Sequence, residues 1–437
     1  MAKLDDFKYV LTLWKERELP ELIYRDIKLD FSLNKIITIA GVRRSGKTHI
    51  MFQHIKMLLS EGVPKDNIIY VDFENERLVG AKAVDLDDLL VAHSQLYNPN
   101  GKIYLFLDEL QNVQNWDKWV RKIYNTGKYH IIITGSSSSL LSREIATALA
   151  GRNISYIVYP FSFEEFLTAK KIKLEKTYRY SASKGIILRA VDEFLEYGSF
   201  PEVTLVSDTN TKMDILSSYF DAIFFRDIVK RYGVRETGAL NIFLKIITGN
   251  YASYFSSVKS YNYFKSTGFK ISRITIIKFL EYSKSVFLIE TMEQHLKSAR
   301  KRLARQSKSY IVDIGISKLF SDVDKGRALE NAVYFELLRK KGNKGNIHYL
   351  KLESGKEVDF MVGGKEGALI QVAYVLVEPE TKQRETSAIV EAAKKLGFKS
   401  GTIITYDYDG EETMDGIKIN YRPFWAWALD IQVANPS

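Results

Sequence analysis

Residues 41–48 read GVRRSGKT and fit the pattern G-x-x-x-x-G-K-[ST]. They follow the apolar run Ile36–Ala40 and lead into a helical pattern that extends to Leu59. A strand that enters a glycine-rich turn and then a helix brings backbone N–H groups and the positive end of the helix to one anion. The order strand, loop and helix therefore predicts a phosphate-binding loop in an α/β fold.

The residues of this loop differ in the part they are expected to play. Glycines 41 and 46 allow a close backbone approach, Lys47 is expected to reach the β- and γ-phosphates, and the Thr48 hydroxyl is expected to hold Mg²⁺. A chance match in a surface turn is the alternative, which the flanking strand and helix disfavour. We assign nucleotide binding to Gly41, Arg43, Arg44, Ser45, Gly46, Lys47, Thr48 and His49.

A second apolar run, Ile103–Leu107, ends in the adjacent acids Asp108 and Glu109. In a phosphate-loop enzyme the first acid helps to hold Mg²⁺, and the second orients and polarises the attacking water. The alternative is a strand that merely exits into solvent. We assign Asp108 to nucleotide and metal binding together with Thr48, and Glu109, like Lys47, to catalysis.

Polar residues also follow two further apolar runs. Thr134 and Ser136 are expected either to sense the γ-phosphate or to cap the next helix, and the sequence favours neither interpretation. Glu74 and Arg77 are expected to form local salt bridges, with contact to nucleotide or to a neighbouring subunit as the alternative.

Length and composition limit the class of protein. A chain of 437 residues exceeds what one core accommodates, which predicts two to four domains. The absence of cysteine excludes disulfides, thiolate zinc sites and cysteine nucleophiles. No apolar run is long enough to cross a bilayer and residues 1–6 do not resemble a signal peptide, so a cytoplasmic protein without membrane insertion is expected. The net charge of +10 favours a polyanionic partner.

Several of these motifs together resemble the prokaryotic ATPases on the archaeal-ATPase side of the AAA+ superfamily. The resemblance rests on the loop, the strand before Asp108 and Glu109, the strand exit at 134–136, and the segments 149–166, 197–202 and 225–228. It implies binding and hydrolysis of ATP with Mg²⁺, and a homo-oligomer such as a ring. The implied domains are an AAA+ P-loop core (1–160), a helical lid (161–232), a winged-helix DNA-binding domain (233–320) and an α/β domain similar to PD-(D/E)xK nucleases (321–437).

The resemblance also implies a catalytic role for Arg152, which matches an arginine that senses the γ-phosphate in cis or from a neighbouring subunit. An arginine in that position neutralises charge in the transition state. Structural pairing with a local carboxylate is the alternative.

Within the implied winged helix, basic residues are concentrated in the segment 294–308, which contains no acid. Such a cluster next to a predicted recognition helix provides what contacts to DNA phosphates require, on duplex or branched DNA and independently of sequence. A solvated charge run without function is the alternative. We assign DNA binding to Arg273, Lys278, Lys297, Arg300, Lys301, Arg302, Arg305 and Lys308.

The order of elements in the last segment resembles a PD-(D/E)xK nuclease, with Glu330, Asp359 and Gln371 at the metal-facing positions. The sequence departs from that pattern because the expected E-x-K reads Gln-Val-Ala at 371–373. One ligand is then neutral and the usual lysine is missing, although Lys382 is a candidate substitute. We therefore predict an inactive nuclease fold kept for binding or assembly.

These assignments predict a Mg-dependent ATP hydrolase that couples nucleotide state to DNA binding or remodelling through a winged helix. Two alternatives remain. One is a nucleotide-dependent regulatory switch that contacts protein partners, and the other is an active metal-dependent nuclease.

Overall fold

The structure is a computed structural model that describes residues 3–97, 99–138, 149, 151–173, 183–296, 298, 306–340, 347–363, 367–376 and 378–431. The chain divides into two compact units, Met1–Tyr159 with Ser285–Phe287, and Pro160–Lys284 with Leu288–Ser437. Among the helices within these ranges, none has both the length and the hydropathy needed to span a bilayer.

The first unit contains a parallel sheet whose described strands have the order β2-β3-β4-β1-β5. All six residues of the first strand are buried, as expected when helices cover both faces of a parallel sheet. Because the fourth strand lies between the first and the third, their carboxyl ends meet at one edge. The strands are β1 Ile36–Gly41, β2 Ile68–Asp72, β3 Ile103–Asp108, β4 Tyr129–Gly135 and β5 Asn153–Val158.

The helices of the first unit pack their apolar faces against this sheet. Ile50, Phe52 and Ile55 of the helix after the loop share one core with Ile37 and Ile39 of β1. This packing fixes the helix directly behind the strand that leads into the loop. The helices are α1 Leu4–Glu16, α2 Lys47–Ser60, α3 Leu86–Leu96 and α4 Trp116–Tyr124, and short 3-10 turns cover Lys65–Asn67, Glu76–Leu78, Ala83–Asp85 and Leu110–Asn112.

The second unit begins with helices. These are α5 Phe163–Ala169, α6 Ser183–Tyr197, α7 Pro201–Leu205, α8 Thr209–Asp221 and a π-helical segment Ala222–Lys230. The turn between α6 and α7 is fixed by Asp313, whose Oδ2 accepts a hydrogen bond from the Ser199 N–H at 2.7 Å. Gly198 in this turn has φ +75°, and a Cβ there would lie 1.7 Å from Asp313 Oδ1, so only glycine fits.

A small antiparallel sheet with strand order β6-β8-β7 follows. In chain order its elements are α9 Thr237–Gly249, β6 Ser253–Tyr254, α10 Ser257–Ser266, α11 Arg273–Ser285, β7 Ile289–Met292 and β8 Lys308–Ile311. The order is therefore helix, strand, helix, helix, strand, strand.

The remainder of the second unit contains a mixed sheet of order β13-β14-β12-β11-β10-β9, with a long helix on one face. Ile389 and Ala393 of that helix pack against Leu369 and Ile403 of the sheet. Together with the parallel sheet of the first unit, this arrangement confirms the predicted α/β fold class. The elements are α12 Ile314–Lys318, α13 Lys325–Lys340, β9 Ile347–Lys351, β10 Glu357–Val362, β11 Ala368–Ala373, α14 Pro379–Leu396, β12 Ser400–Thr405, β13 Gly410–Met414, β14 Ile417–Pro423 and α15 Phe424–Ala428.

Candidate functional site

The predicted loop lies between the end of β1 and the start of α2, as the sequence requires. Gly46 has φ +95° and Arg44 has φ +67°, so two residues of the turn adopt the left-handed conformation. Non-glycine residues rarely adopt this conformation, and it is found where a loop is held in a functional shape. Gly41 allows a close backbone approach, because a Cβ there would lie 2.1 Å from the Val158 carbonyl oxygen of β5.

Lys47 begins α2 and is buried, with 5% of the residue exposed. Its Nζ donates hydrogen bonds to the carbonyl oxygens of Gly41 and Val42, both at 3.1 Å. The ammonium group therefore lies inside the turn, where it faces any anion that the loop binds.

Asp108 ends β3 and is only 2% exposed. Its Oδ2 accepts hydrogen bonds from Thr48 Oγ1 at 2.7 Å and from the Tyr70 hydroxyl at 3.0 Å, and its Oδ1 accepts one from Thr134 Oγ1. Burial and the neighbouring Glu109 raise the pKa of Asp108 above its ordinary value. The structure thus joins the two predicted Mg²⁺ ligands as adjacent oxygens, which is the ligand chemistry that Mg²⁺ prefers.

Glu109 follows in the left-handed conformation, with φ +52°. Its Oε1 lies 3.6 Å from Lys47 Nζ, and its Oε2 accepts hydrogen bonds from the Ser136 N–H at 3.3 Å and from Gln111 Nε2. Burial alone would raise the pKa of Glu109, but Lys47 and Gln111 outweigh it and lower the pKa below its ordinary value. Glu109 is therefore held as a carboxylate beside the loop lysine.

Two buried hydroxyls line the same site. Ser45 Oγ and Ser136 Oγ have no hydrogen-bond partner among the residues that the structure describes. Buried polar atoms are almost always paired, so these two fit a site that binds a polar ligand. Thr134 instead serves the acids, because it donates to Asp108 and accepts the Glu109 N–H at 2.9 Å. The alternative interpretation, in which Thr134 or Ser136 caps the next helix, depends on residues 139–148, which lie outside the described residues.

The charged residues around the loop form local pairs. Arg43 contacts Glu74 with Nη2 to Oε1 at 3.0 Å, and Arg77 Nη1 lies 3.6 Å from Asp6 Oδ1. Glu74 and Arg77 therefore each form a salt bridge within the first unit, but with residues distant in the chain and not with each other. His49 lies in the first turn of α2, where burial and Arg25 lower its pKa.

Arg25 is the main residue of the site that the sequence did not indicate. It is 5% exposed, and its Nη1 donates to the Ser45 carbonyl oxygen at 2.6 Å while its Nη2 donates to the Tyr159 carbonyl oxygen at 2.8 Å. Gln53 of α2 holds the backbone of the same residue, because its Oε1 accepts the Arg25 N–H at 2.8 Å and its Nε2 donates to the Arg25 carbonyl at 3.1 Å. Arg25 therefore fastens the loop to the end of β5.

Replacing Arg25 with methionine should destabilise the first unit by about 2–3 kcal/mol, because two buried carbonyl oxygens lose a charged donor. The KM for nucleotide should rise about 10-fold with a smaller change in kcat, since the loop is misplaced while the acids remain. Denaturant unfolding and steady-state kinetics measure the two effects. Arg77→Met, which removes a partly exposed ion pair, is the matched control. It should lower the free energy of unfolding by less than about 0.5 kcal/mol. Equal effects of the two substitutions would contradict the assigned role.

Three family models match the chain. Residues 33–167 match an AAA domain, 188–326 match a domain of unknown function (DUF8612), and 325–424 match another (DUF4143). A protein of Methanocaldococcus jannaschii described as "Uncharacterized protein MJ1544" is 40% identical over 419 residues, which cover 94% of this chain and 91% of the relative. This chain belongs to the same family as that protein.

An uncharacterized protein of Haemophilus influenzae is a further relative of this family, 31% identical over 395 residues that cover 89% of this chain and 94% of the relative. Among solved structures, the Walker-type ATPase paby2304 of Pyrococcus abyssi is similar with a TM-score of 0.41 and 16% identity, over 73% of this chain and 96% of that one. The ORC1 protein of Aeropyrum pernix in complex with DNA is similar with a TM-score of 0.32 and 12% identity, over 77% of this chain and 92% of that one. With its matched domain and assembled loop, the chain carries a P-loop AAA ATPase domain.

Arg152 lies at the opposite edge of the AAA domain's sheet from the loop. Asn153 pairs with Ile36 and Val158 with Gly41, so Arg152 precedes β5 at the edge where β1 begins. At about 3.3 Å per residue, some 17 Å of strand separates it from the loop. This position argues against contact with the γ-phosphate in cis. The guanidinium packs over the Tyr124 ring at 5.6 Å, and Nη1 is buried without a hydrogen-bond partner among the described residues.

The residues predicted to contact DNA are separated by the structure. Arg273 and Lys278 are exposed on α11. Lys308 is not available for DNA in this structure, because it is 5% exposed and its Nζ is paired with three carboxylates. This corrects its assignment, and the physical reason is that it begins the buried strand β8. The remaining five, Lys297, Arg300, Lys301, Arg302 and Arg305, lie outside the described residues.

The nuclease-like positions come together in the second unit, but not as a metal site. Glu330 and Asp359 both contact Lys308 Nζ, at 3.0 and 3.2 Å. Gln371 Oε1 accepts the Asp359 N–H at 3.1 Å, so its amide serves the protein interior. The candidate substitute Lys382 pairs with Glu412 at 2.8 Å. Among the described residues, no group of three or more His, Asp or Glu side chains has an arrangement that could hold a metal ion.

Proposed function

We propose that this protein is a Mg-dependent ATP hydrolase that couples its nucleotide state to DNA binding through a winged-helix domain. The observation that carries the ATPase part is the joint placement of four side chains. Thr48 Oγ1 and Asp108 Oδ2 are 2.7 Å apart, and Glu109 Oε1 lies 3.6 Å from Lys47 Nζ. These are the groups that phosphoryl transfer to water requires.

Each side chain has a task in this proposal. Thr48 and Asp108 would hold Mg²⁺, which would supply neutralisation of phosphate charge when bound. Lys47, inside the turn, neutralises the phosphate oxygens. Glu109 orients the attacking water, a task for which its lowered pKa keeps it ionised at neutral pH.

The DNA part is supported by where the charge lies in the sequence. Residues 237–312 contain 13 lysines and arginines but only three acids, so this segment alone carries a net charge equal to the +10 of the whole chain. Residues 237–280 contain no acid at all. The element order from α9 to β8 is the order of a winged helix, and Arg273 and Lys278 are exposed on the helix that would contact DNA. Such a surface favours phosphate contacts that do not depend on sequence.

The remaining assignments complete the proposal. We propose a core at 1–160, a helical lid at 161–232, a winged helix at 233–320 and an inactive nuclease-like domain at 321–437. Arg152 would act on a neighbouring subunit of a homo-oligomer, possible only in trans because of its distance from its own loop.

ATP hydrolysis by the wild type and by Lys47→Ala, each with and without duplex DNA, tests this function. We expect Lys47→Ala to lose at least about 100-fold in kcat/KM, because the phosphates lose their only buried ammonium within the described loop. We also expect DNA to stimulate the wild-type rate. Hydrolysis by Lys47→Ala at the wild-type rate would refute the site, whereas a wild-type rate that does not respond to DNA would refute the coupling.

A further inference from the structure

One buried lysine of the second unit lies among three carboxylates that come from elsewhere in the chain. Lys308 Nζ lies 2.6 Å from Glu357 Oε1, 3.0 Å from Glu330 Oε1 and 3.2 Å from Asp359 Oδ1. The lysine begins β8 and falls within the family match at 188–326, whereas the three acids belong to α13 and β10 and fall within the match at 325–424. The contact therefore joins two regions that match separate family models.

The carboxylates of this cluster have further partners within the protein. Glu330 Oε1 accepts a hydrogen bond from the Tyr310 hydroxyl at 2.8 Å, and Asp359 Oδ2 accepts the Val372 N–H at 3.0 Å. The Tyr254 hydroxyl donates to Glu357 Oε2. Buried charges are stable only when they are paired and their remaining lone pairs are satisfied. These protein donors stabilise the carboxylates together with the Lys308 ammonium.

Gln371, the third position of the nuclease pattern, is turned away from this cluster. Its Oε1 accepts the Asp359 N–H at 3.1 Å, and its Nε2 donates to Glu385 Oε2 at 2.7 Å. Both ends of the amide are thus engaged by the protein. The residues present do not fit the metal site that a PD-(D/E)xK nuclease needs, because an ammonium group already lies where the carboxylates converge.

We infer that Lys308 replaces a divalent cation in this domain and that its ion pairs fasten β8 to the C-terminal sheet. One ammonium among three carboxylates supplies the positive charge that the metal would bring, from within the chain. Although burial opposes a charged lysine, Asp359, Glu330 and Glu357 together raise the pKa of Lys308, so the ammonium remains protonated. The position that the nuclease resemblance assigns to a metal then serves assembly of the fold instead of hydrolysis.

Neighbouring contacts show how β8 is held at this place. The Asn331 side chain accepts the Ile311 N–H at 2.9 Å and donates to the Ile311 carbonyl at 2.8 Å. The Tyr310 ring stacks on Tyr334 of α13 with centroids 4.0 Å apart. Lys308 and Tyr310 lie on the same face of β8, because both side chains contact Glu330. The Lys308 ion pairs therefore lie beside the aromatic contact between Tyr310 and Tyr334.

The test compares Lys308→Met with Lys382→Met, which removes one partly exposed ion pair of the C-terminal domain. We expect Lys308→Met to lower the midpoint of thermal unfolding by about 10 °C, because the buried Asp359 and the partly buried Glu330 and Glu357 lose their counter-charge. We expect Lys382→Met to lower it by less than about 2 °C. Mn²⁺ should partly restore the midpoint of thermal unfolding of Lys308→Met. Calorimetry should show that this variant binds one more Mn²⁺ ion per chain than the wild type. The double variant Lys308→Met/Asp359→Asn should lose that added ion.

The wild type provides a second measurement that does not depend on the folding of Lys308→Met. Mn²⁺ titrations of the wild type and of Asp359→Asn should be the same, because no metal binds at the cluster. A wild type that binds a Mn²⁺ ion absent from Asp359→Asn would overturn the inference. Equal thermal shifts for Lys308→Met and Lys382→Met would overturn it as well.

Discussion

Replacing Glu109 with glutamine should lower kcat for ATP hydrolysis by at least about 100-fold and leave the affinity for ATP within about three-fold of the wild type. The substitution keeps the size of the side chain, and glutamine can still accept the Ser136 N–H that now reaches Glu109 Oε2 at 3.3 Å. It removes the negative charge that orients and polarises water. Since Lys47 and the loop are unchanged, binding is retained. Single-turnover hydrolysis and calorimetric titration with ATP measure the two quantities.

Glu74→Gln is the matched control for this prediction, because Glu74 is an acid near the same loop but is paired with Arg43 at 3.0 Å. We expect it to change kcat by less than about five-fold, as its charge serves a partly exposed ion pair. If both glutamine variants lost activity equally, the loss would reflect charge near the loop and Glu109 would have no special role. If Glu109→Gln turned over at the wild-type rate, another group would orient the water.

The core of the site could be predicted from the sequence because its residues are local in the chain. The loop at 41–48 is continuous, and Asp108 and Glu109 directly follow a strand that the apolar run makes evident. In a parallel sheet the carboxyl ends of strands share one edge, so two such segments are expected to meet there. The structure brings Thr48 and Asp108 together at 2.7 Å on this principle.

Arg25 could not be found in this way. It belongs to the segment 17–35, which contains no helix or strand, and its partners lie 20 and 134 positions away. Periodicity reports which face of an element is buried, but it carries no information about long-range hydrogen bonds from an irregular segment. For the same reason, the sequence does not predict that the hydroxyl of Tyr70, a residue of the buried strand β2, donates a hydrogen bond to Asp108.

Lys308 shows where composition misleads. In the sequence it closes an acid-free basic run, and this position predicts contact with phosphates. In the structure it begins β8 and points to the same side as Tyr310, two positions later. The alternation of side chains along a strand was the available signal. Its three carboxylate partners, 22 to 51 positions away, come from elements that only the fold brings to the strand.

Reversing the charge of Arg273 and Lys278 to glutamate should weaken DNA binding by at least about 10-fold at low salt. Both side chains are exposed on α11, so the change should act on the surface and leave the fold intact. Each lost phosphate contact should also reduce the slope of log affinity against log salt by about 0.9, which predicts a slope shallower by about two. Fluorescence anisotropy with a labelled duplex over a range of salt concentrations measures both.

Lys394→Glu with Lys395→Glu is the matched control, because it makes the same change of charge on α14, outside the basic segment 237–312. Any polyanion responds to the net charge of a protein over long distances, but only residues at the interface release counterions and change the salt slope. We therefore expect the α14 variant to keep the wild-type slope and most of the affinity. Equal losses in both variants would mean that net charge alone attracts DNA, and an unchanged slope in the α11 variant would show that this helix does not contact the phosphates.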